Sequence, residues 1–229
     1  MKKLASHFIG TSGFAYEEWM NSFYPSVYPR KQWLSFYSQH FNSVEITTTF
    51  SKAPEKEVLL QWAAQTPVDF KFSLRGYHYV THTKKLQGPA EPLKIFMDRA
   101  RVLKEKLGCV IWKIPFLGSG LPKNLENFLK HLQKYPEAEH VFDFELDTRL
   151  SNRSELAKLV ESYDARVAER EGFAEAAKLK KRFVYWDHEL LDEEISSLKK
   201  NQDFYGYFLE NPALEGIEHC IALYKELKK

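Results

Sequence analysis

Three carboxylates alternate with apolar residues along one short stretch of the chain: Asp143, Glu145 and Asp147, with Phe142, Phe144 and Leu146 as their neighbours. A period of two marks a strand with one buried face, and acidic groups gathered on the other face do general acid–base work or bind a polar ligand. Glu45 sits in the same way between Val44 and Ile46. Lys71, Ser73 and Arg75 alternate with Phe70, Phe72 and Leu74, and Lys113 stands between Trp112 and Ile114. With the apolar members packed under helices, Glu45, Lys71, Arg75, Lys113, Asp143, Glu145 and Asp147 all face the other way. Unpaired buried charges are costly, so such a set either neutralises itself as a network or lines a ligand pocket. For the pocket, Arg75 and Lys113 are expected to hold negative charge, Asp147 to line the mouth, and Glu45 or Glu145 to act as base.

Two further segments carry candidates. Thr11, Ser12, Gly13 and Tyr16 belong to a run, Gly10-Thr11-Ser12-Gly13-Phe14-Ala15-Tyr16-Glu17-Glu18-Trp19, whose hydroxyls and backbone amides suit an oxyanion and whose aromatics suit a flat ligand. The same run also reads as a tight turn carrying a lid. His78 and His82 lie four apart among aromatic residues. His82 is expected to serve as acid or ligand orienter, although structural hydrogen bonding is the commoner use of such a pair. A metal would take His78 or His82 together with Glu45 and Glu145, mixed N/O ligands that suit zinc or manganese, but no His-x-His or His-Glu-x-x-His spacing supports that set, so no metal is expected, and the cofactor is left unassigned. The chain has no Gly-x-Ser-x-Gly elbow and no phosphate-binding Walker loop.

These residues need a scaffold that turns strand ends toward one place. Strand-like runs fall at His7–Thr11, Val44–Thr48, Phe70–Arg75, Cys109–Ile114, Val141–Asp147, Arg166–Glu169, Arg182–Asp187 and Phe204–Leu209, with helical patterns between them. Pro54-Glu55 precedes Val58, Leu59 and Trp62, and Pro122 precedes Leu125, Phe128, Leu129 and Leu132. Gly108 is expected to close a long helix that begins near Pro89. Strict βα alternation demands a parallel sheet covered by helices, and 229 residues at about 29 per unit suit a single α/β domain, a (β/α)8 TIM barrel covering residues 1–229. The sixth unit, with a short strand and a polar Ala/Glu/Lys helix, is where the barrel is expected to be irregular. A doubly wound sheet is disfavoured because Gly10-Thr11-Ser12-Gly13 lacks a third glycine and an immediate helix.

Composition narrows the partners. A hydrophobic fraction of 44% with 28% charged residues describes a globular chain, and 33 Lys and Arg against 31 Asp and Glu leave a net charge of only +2, which argues against nucleic acid. No apolar run is long enough for a membrane span, and Met1–Gly13 does not read as a secretory signal. Cys109 and Cys220, far apart and without a Cys-x-x-Cys, read as two buried thiols of a reducing compartment. A cytoplasmic location is expected.

The sequence also resembles a known family. Ile9 to Tyr16, Trp19, Phe23-Tyr24-Pro25, His40 to Ile46, Thr49-Phe50, Phe70 to Ser73, Thr81-His82, Leu107-Gly108, Ile114-Pro115 and Phe144-Glu145 are similar to the YecE-like family, known as domain of unknown function family 72. The resemblance covers roughly the first 150 residues. It implies a (β/α)8-type barrel and brings no established reaction. The chain departs from the family pattern with Glu145-Leu146-Asp147 in place of Glu-x-Arg, and again around Asp187-His188-Glu189 and Tyr207 to Asn211. The expected function is a small-molecule enzyme or ligand-binding barrel that takes a polar or anionic compound. The alternatives are a non-catalytic interaction or regulatory protein on a degenerate barrel and a metal-dependent hydrolase or isomerase.

Overall fold

A computed structural model describes residues 7–115, 120–144, 153–168, 181–186, 203–209 and 215–227. In chain order the elements are β1 (His7–Thr11), α1 (Trp33–His40), β2 (Ser43–Ile46), α2 (Lys56–Ala64), β3 (Lys71–Arg75), α3 (Ala90–Ala100), β4 (Leu107–Ile114) and α4 (Leu121–Leu132). They continue with β5 (Glu139–Phe144), α5 (Arg153–Ser162), β6 (Arg166–Val167), β7 (Lys181–Trp186), β8 (Asp203–Phe208) and α6 (Glu215–Leu227). The fold is α/β with parallel sheets, as the alternation of periods two and 3.6 demands. Two compact units are present: one drawn from Met1–Glu45, Ala64–Lys71 and Glu169–Lys229, the other from Ile46–Ala63 and Phe72–Ala168.

In the first unit β8 lies between β1 and β7 in parallel ladders that run from His7↔Phe204 to Thr11↔Phe208 and from Lys181↔Asp203 to Trp186↔Phe208. The Asn42 side chain extends β1 on its other side, accepting from Ile9 N at 2.9 Å and donating to the His7 oxygen at 2.7 Å. Gly10 is required at this approach, since a Cβ there would lie 2.0 Å from the Ser43 oxygen. The apolar face of α1 buries Trp33, Leu34 and Tyr37, with Trp33 stacked on Tyr24 at 4.6 Å. Phe41 and Tyr224 of α6 approach edge to face, and Ile217, Cys220 and Leu223 of the same helix are buried.

In the second unit β3, β4, β5 and β6 form a continuous parallel ladder. Val110, Trp112 and Phe142 take the helix-covered face: the Trp112 ring sits between Phe96 of α3 and Phe128 of α4 at 5.7 and 5.0 Å, and Phe128 meets Phe142. Leu125, Phe128, Leu129 and Leu132 of α4 are all buried there, and Pro122 occupies the first turn, where its missing N–H costs nothing.

Three local expectations are corrected. Gly108 does not close a helix; it lies inside β4, and the helical segment continues from α3 as a 3₁₀ turn over Arg101–Lys106 in which Lys104 takes the left-handed backbone, φ 51° and ψ −128°. Val58 faces solvent, so of the apolar residues in α2 it is Leu59 that is buried. Strand two ends at Ile46 because Thr48–Phe50 turn into a 3₁₀ helix. In the sixth unit β6 has two residues, and the predicted Ala/Glu/Lys helix lies outside the described residues. Both cysteines are free and buried, as expected.

Candidate functional site

The C-terminal ends of parallel strands are where α/β folds place ligands, because there the loops are free to vary above a rigid sheet. In the first unit these ends carry a closed set of hydroxyls around Glu45. Its side chain has no exposed surface. Ser12, just past β1, donates to one carboxylate oxygen, and Tyr185 of β7 donates to the other at 2.9 Å. Below them the Tyr37 phenol accepts from Thr11 N at 2.8 Å and lies 3.0 Å from Thr11 Oγ1, and Ser43 Oγ contacts the Tyr207 hydroxyl. Burial pushes the Tyr37 phenol well above its ordinary range, so it stays a protonated donor.

The turn after β1 is not the open amide cradle that its composition suggests. Thr11 N is taken by Tyr37, Ser12 N donates to the Phe208 oxygen at 2.9 Å, and Gly13 N donates to the Glu45 oxygen at 2.8 Å. Thr11 Oγ1 donates to the Gly13 oxygen and Tyr16 OH to the Ser12 oxygen, at 2.6 and 2.5 Å. Gly13 adopts φ 90°, and a Cβ on it would strike the Tyr16 hydroxyl. Thr11, Ser12, Gly13 and Tyr16 are therefore brought together with Glu45, but by bonds that tie the turn to the sheet.

The second unit carries the cations. Arg75 opposes Ile111 in the β3–β4 ladder, so Arg75 and Lys113, two residues farther along β4, share the face opposite Trp112. Strand spacing puts their Cα atoms about 8 Å apart. Both side chains are half-buried. Lys113 stands opposite Asp143 in the β4–β5 ladder, and Asp143 is buried. Thr49 Oγ1 donates to the Arg75 oxygen at 2.6 Å. After β3 the chain forms a π-helical turn over Tyr79–Thr83, a rare conformation that recurs at functional sites. His78 at its start places Nδ1 2.8 Å from the Phe50 oxygen, and His82 within it places Nδ1 2.8 Å from Thr81 Oγ1.

Glu145 and Asp147 lie outside the described residues, as do Asp187-His188-Glu189. Among the described residues no group of three or more His, Cys, Asp or Glu side chains is placed to hold a metal ion, and no helix is long and apolar enough to cross a membrane. Clefts of about 570 and 440 Å³ open elsewhere in the second unit, one lined by Arg101, Lys104 and Leu107, the other by Leu132, Tyr135 and His140 near the start of β5. Sequence reasoning missed Tyr185, Tyr37 and Thr49. Tyr185 lies in the run Phe183-Val184-Tyr185-Trp186 and Tyr37 in the apolar stripe of α1, so neither shows the polar alternation that revealed Glu45.

Comparison with known proteins gives the following. The sequence profile of the family described as "Protein of unknown function DUF72" matches residues 8–167. The UPF0759 protein YecE of Escherichia coli K12 is 32% identical over 82 residues, which are 36% of this chain and 30% of the relative, so the match spans about a third of that curated relative's length. Among solved structures, a DUF72 family protein of Thermotoga maritima superposes with a TM-score of 0.72 at 20% identity, over 98% of this chain and all of that one. A DUF72 family protein of Enterococcus faecalis superposes with a TM-score of 0.71 at 13% identity, over 98% of each chain.

Proposed function

Since this chain belongs to the DUF72 family, whose function is unknown, we propose a function from its own residues: it binds a small anionic, polar molecule at the C-terminal ends of β3 and β4, with Arg75 and Lys113 holding the negative charge. The observation that carries this reading is the Arg75↔Ile111 register, which sets two half-buried cations on one strand face, away from the helices. A guanidinium and an ammonium at this spacing reach one oxyanion together, the guanidinium through two parallel hydrogen bonds. Such a ligand site belongs with a single (β/α)8 domain, a reading supported by the βα order of the elements and by family relatives that superpose over nearly the whole chain.

The opposition of Lys113 and Asp143 favours a second reading, in which the charges form a structural ion network that fills the sheet face. Thermal unfolding separates the two. On the ligand reading, one or more members of a panel of sugar phosphates and dicarboxylates raise the Tm of the wild-type chain and not that of Arg75→Ala, whose unliganded Tm stays within about 2 °C of wild type. A loss of many degrees by Arg75→Ala without ligand, with no response of the wild type to any anion, would establish the network instead.

A further inference from the structure

His78 stands three residues beyond Arg75 and is half-buried at the start of the π-helical turn Tyr79–Thr83. Its Nδ1 lies 2.8 Å from the backbone oxygen of Phe50. A carbonyl only accepts, so Nδ1 carries the ring proton, and in the neutral imidazole Nε2 is a bare lone pair. The contact of His82 makes no such assignment, because the Thr81 hydroxyl facing its Nδ1 both donates and accepts. The His78 ring is held sideways as well, tilted against Phe50 at 5.6 Å and edge-on to Tyr77 at 5.2 Å.

One short turn serves both Arg75 and His78. Thr49 fastens the Arg75 backbone through its hydroxyl, and Phe50, the next residue, supplies the oxygen that fixes the His78 tautomer. The 3₁₀ turn Thr48–Phe50 thus ties the Arg75 backbone and the His78 imidazole to one short segment. Arg75 and Lys113 supply donors only, so an oxyanion that also bears an O–H group needs an acceptor besides these two cations for that proton. Nε2 of His78 is an acceptor of the required kind.

We propose that His78 is the hydrogen-bond acceptor of the anion site, and that its ligand class is an oxyanion carrying an O–H group, such as a hydrogenphosphate or a hydroxy acid. This rests on the anion-site reading of Arg75 and Lys113. The cations take the charge, and Nε2 takes the hydroxyl hydrogen. A site built to pair a ligand hydroxyl rejects an analogue that lacks it, because the acceptor is then left without its partner.

Inorganic phosphate and sulfate test this in the full-length chain, in mildly alkaline buffer where phosphate is the hydrogenphosphate dianion and sulfate is a dianion of the same shape without a proton. Calorimetry is expected to show wild type binding phosphate about tenfold or more tighter than sulfate, and His78→Leu binding the two alike. Arg75→Ala is expected to lose both. Nitrogen-15 spectra of the unaltered protein are expected to show His78 protonated at Nδ1 and its Nε2 resonance moving with phosphate and not with sulfate. Equal affinity of wild type for the two anions, or a phosphate preference that survives in His78→Leu, overturns the role of His78 while leaving the anion site standing. Failure of the wild type to bind either anion overturns both. The wild-type ratio and the tautomer are read without any substitution, so a variant that fails to fold does not shelter the proposal.

Discussion

The phenol of Tyr185 donates to the buried carboxylate of Glu45 at 2.9 Å across 140 positions of sequence, and Ser12 donates to the other carboxylate oxygen. One side chain thereby joins the ends of β1, β2 and β7. Removing the carboxylate strands two buried hydroxyl donors, each worth about 1–3 kcal/mol when left unpaired. Glu45→Ala is expected to lose about 2–4 kcal/mol in urea unfolding and Tyr185→Phe about 1–3. The double variant is expected to fall short of the sum because the two residues share one bond. Strict additivity would show that the contact contributes nothing to stability.

The close approach at Gly10 makes an equally sharp prediction. A methyl group there meets the Ser43 oxygen at 2.0 Å and the Tyr37 hydroxyl at 2.7 Å. Because a backbone oxygen yields only if the strand moves, Gly10→Ala is expected to cost about 3 kcal/mol or more. A variant with an unchanged melting temperature would mean that the segments around Gly10 and Ser43 lie farther apart in solution.

His140 sets a pH dependence. Its Nδ1 accepts from Trp112 Nε1 at 3.3 Å and its Nε2 donates to the Tyr135 oxygen at 3.2 Å, so the neutral ring is satisfied. Burial lowers its pKa from 6.5 to about 4, only partly opposed by the Tyr135 contact. Below pH 6.5 the unfolded chain gains a proton that the folded ring refuses until about pH 4. Stability is therefore full above that window and falls within it, by roughly 3 kcal/mol in total. In His140→Gln, which cannot titrate, that part of the slope of unfolding free energy against pH is expected to vanish. An unchanged slope would assign the acid sensitivity to other groups.

At Lys104 a substitution should stabilise. Its backbone, φ 51° and ψ −128°, is strained for any residue with a Cβ, and the side chain is exposed. Lys104→Gly is expected to raise stability by about 1 kcal/mol, with relief of strain exceeding the added entropy of the unfolded chain. Denaturant midpoints that fall instead would show that the side chain contributes more than its backbone costs.

Much of the framework can be read in advance. The order of strands and helices, the helix-covered face of Trp112 and Phe142, and the opposite face of Arg75 and Lys113 follow from periods two and 3.6, which local backbone geometry imposes on any chain that buries one face. Element ends were harder. Gly108 looked like a helix terminator, yet the left-handed position fell on Lys104, because the start of β4 and not the residue type determines where the helix must stop.

Periodicity could place Glu45 on an inward face, but its partners, Ser12 and Tyr185, are 33 and 140 residues away, and nothing local distinguishes Tyr185 from a core aromatic. The amides of Thr11, Ser12 and Gly13 look available in the sequence and are all occupied in the fold. Likewise the pair His78 and His82 is symmetrical in sequence; a carbonyl beside one and a hydroxyl beside the other makes them chemically different. Residue types and their spacing thus determine which groups the chain can offer and on which face. Which of them are used up by the scaffold and which are left for a ligand depends on hydrogen bonds between distant segments, and those exist only once the chain has folded back on itself.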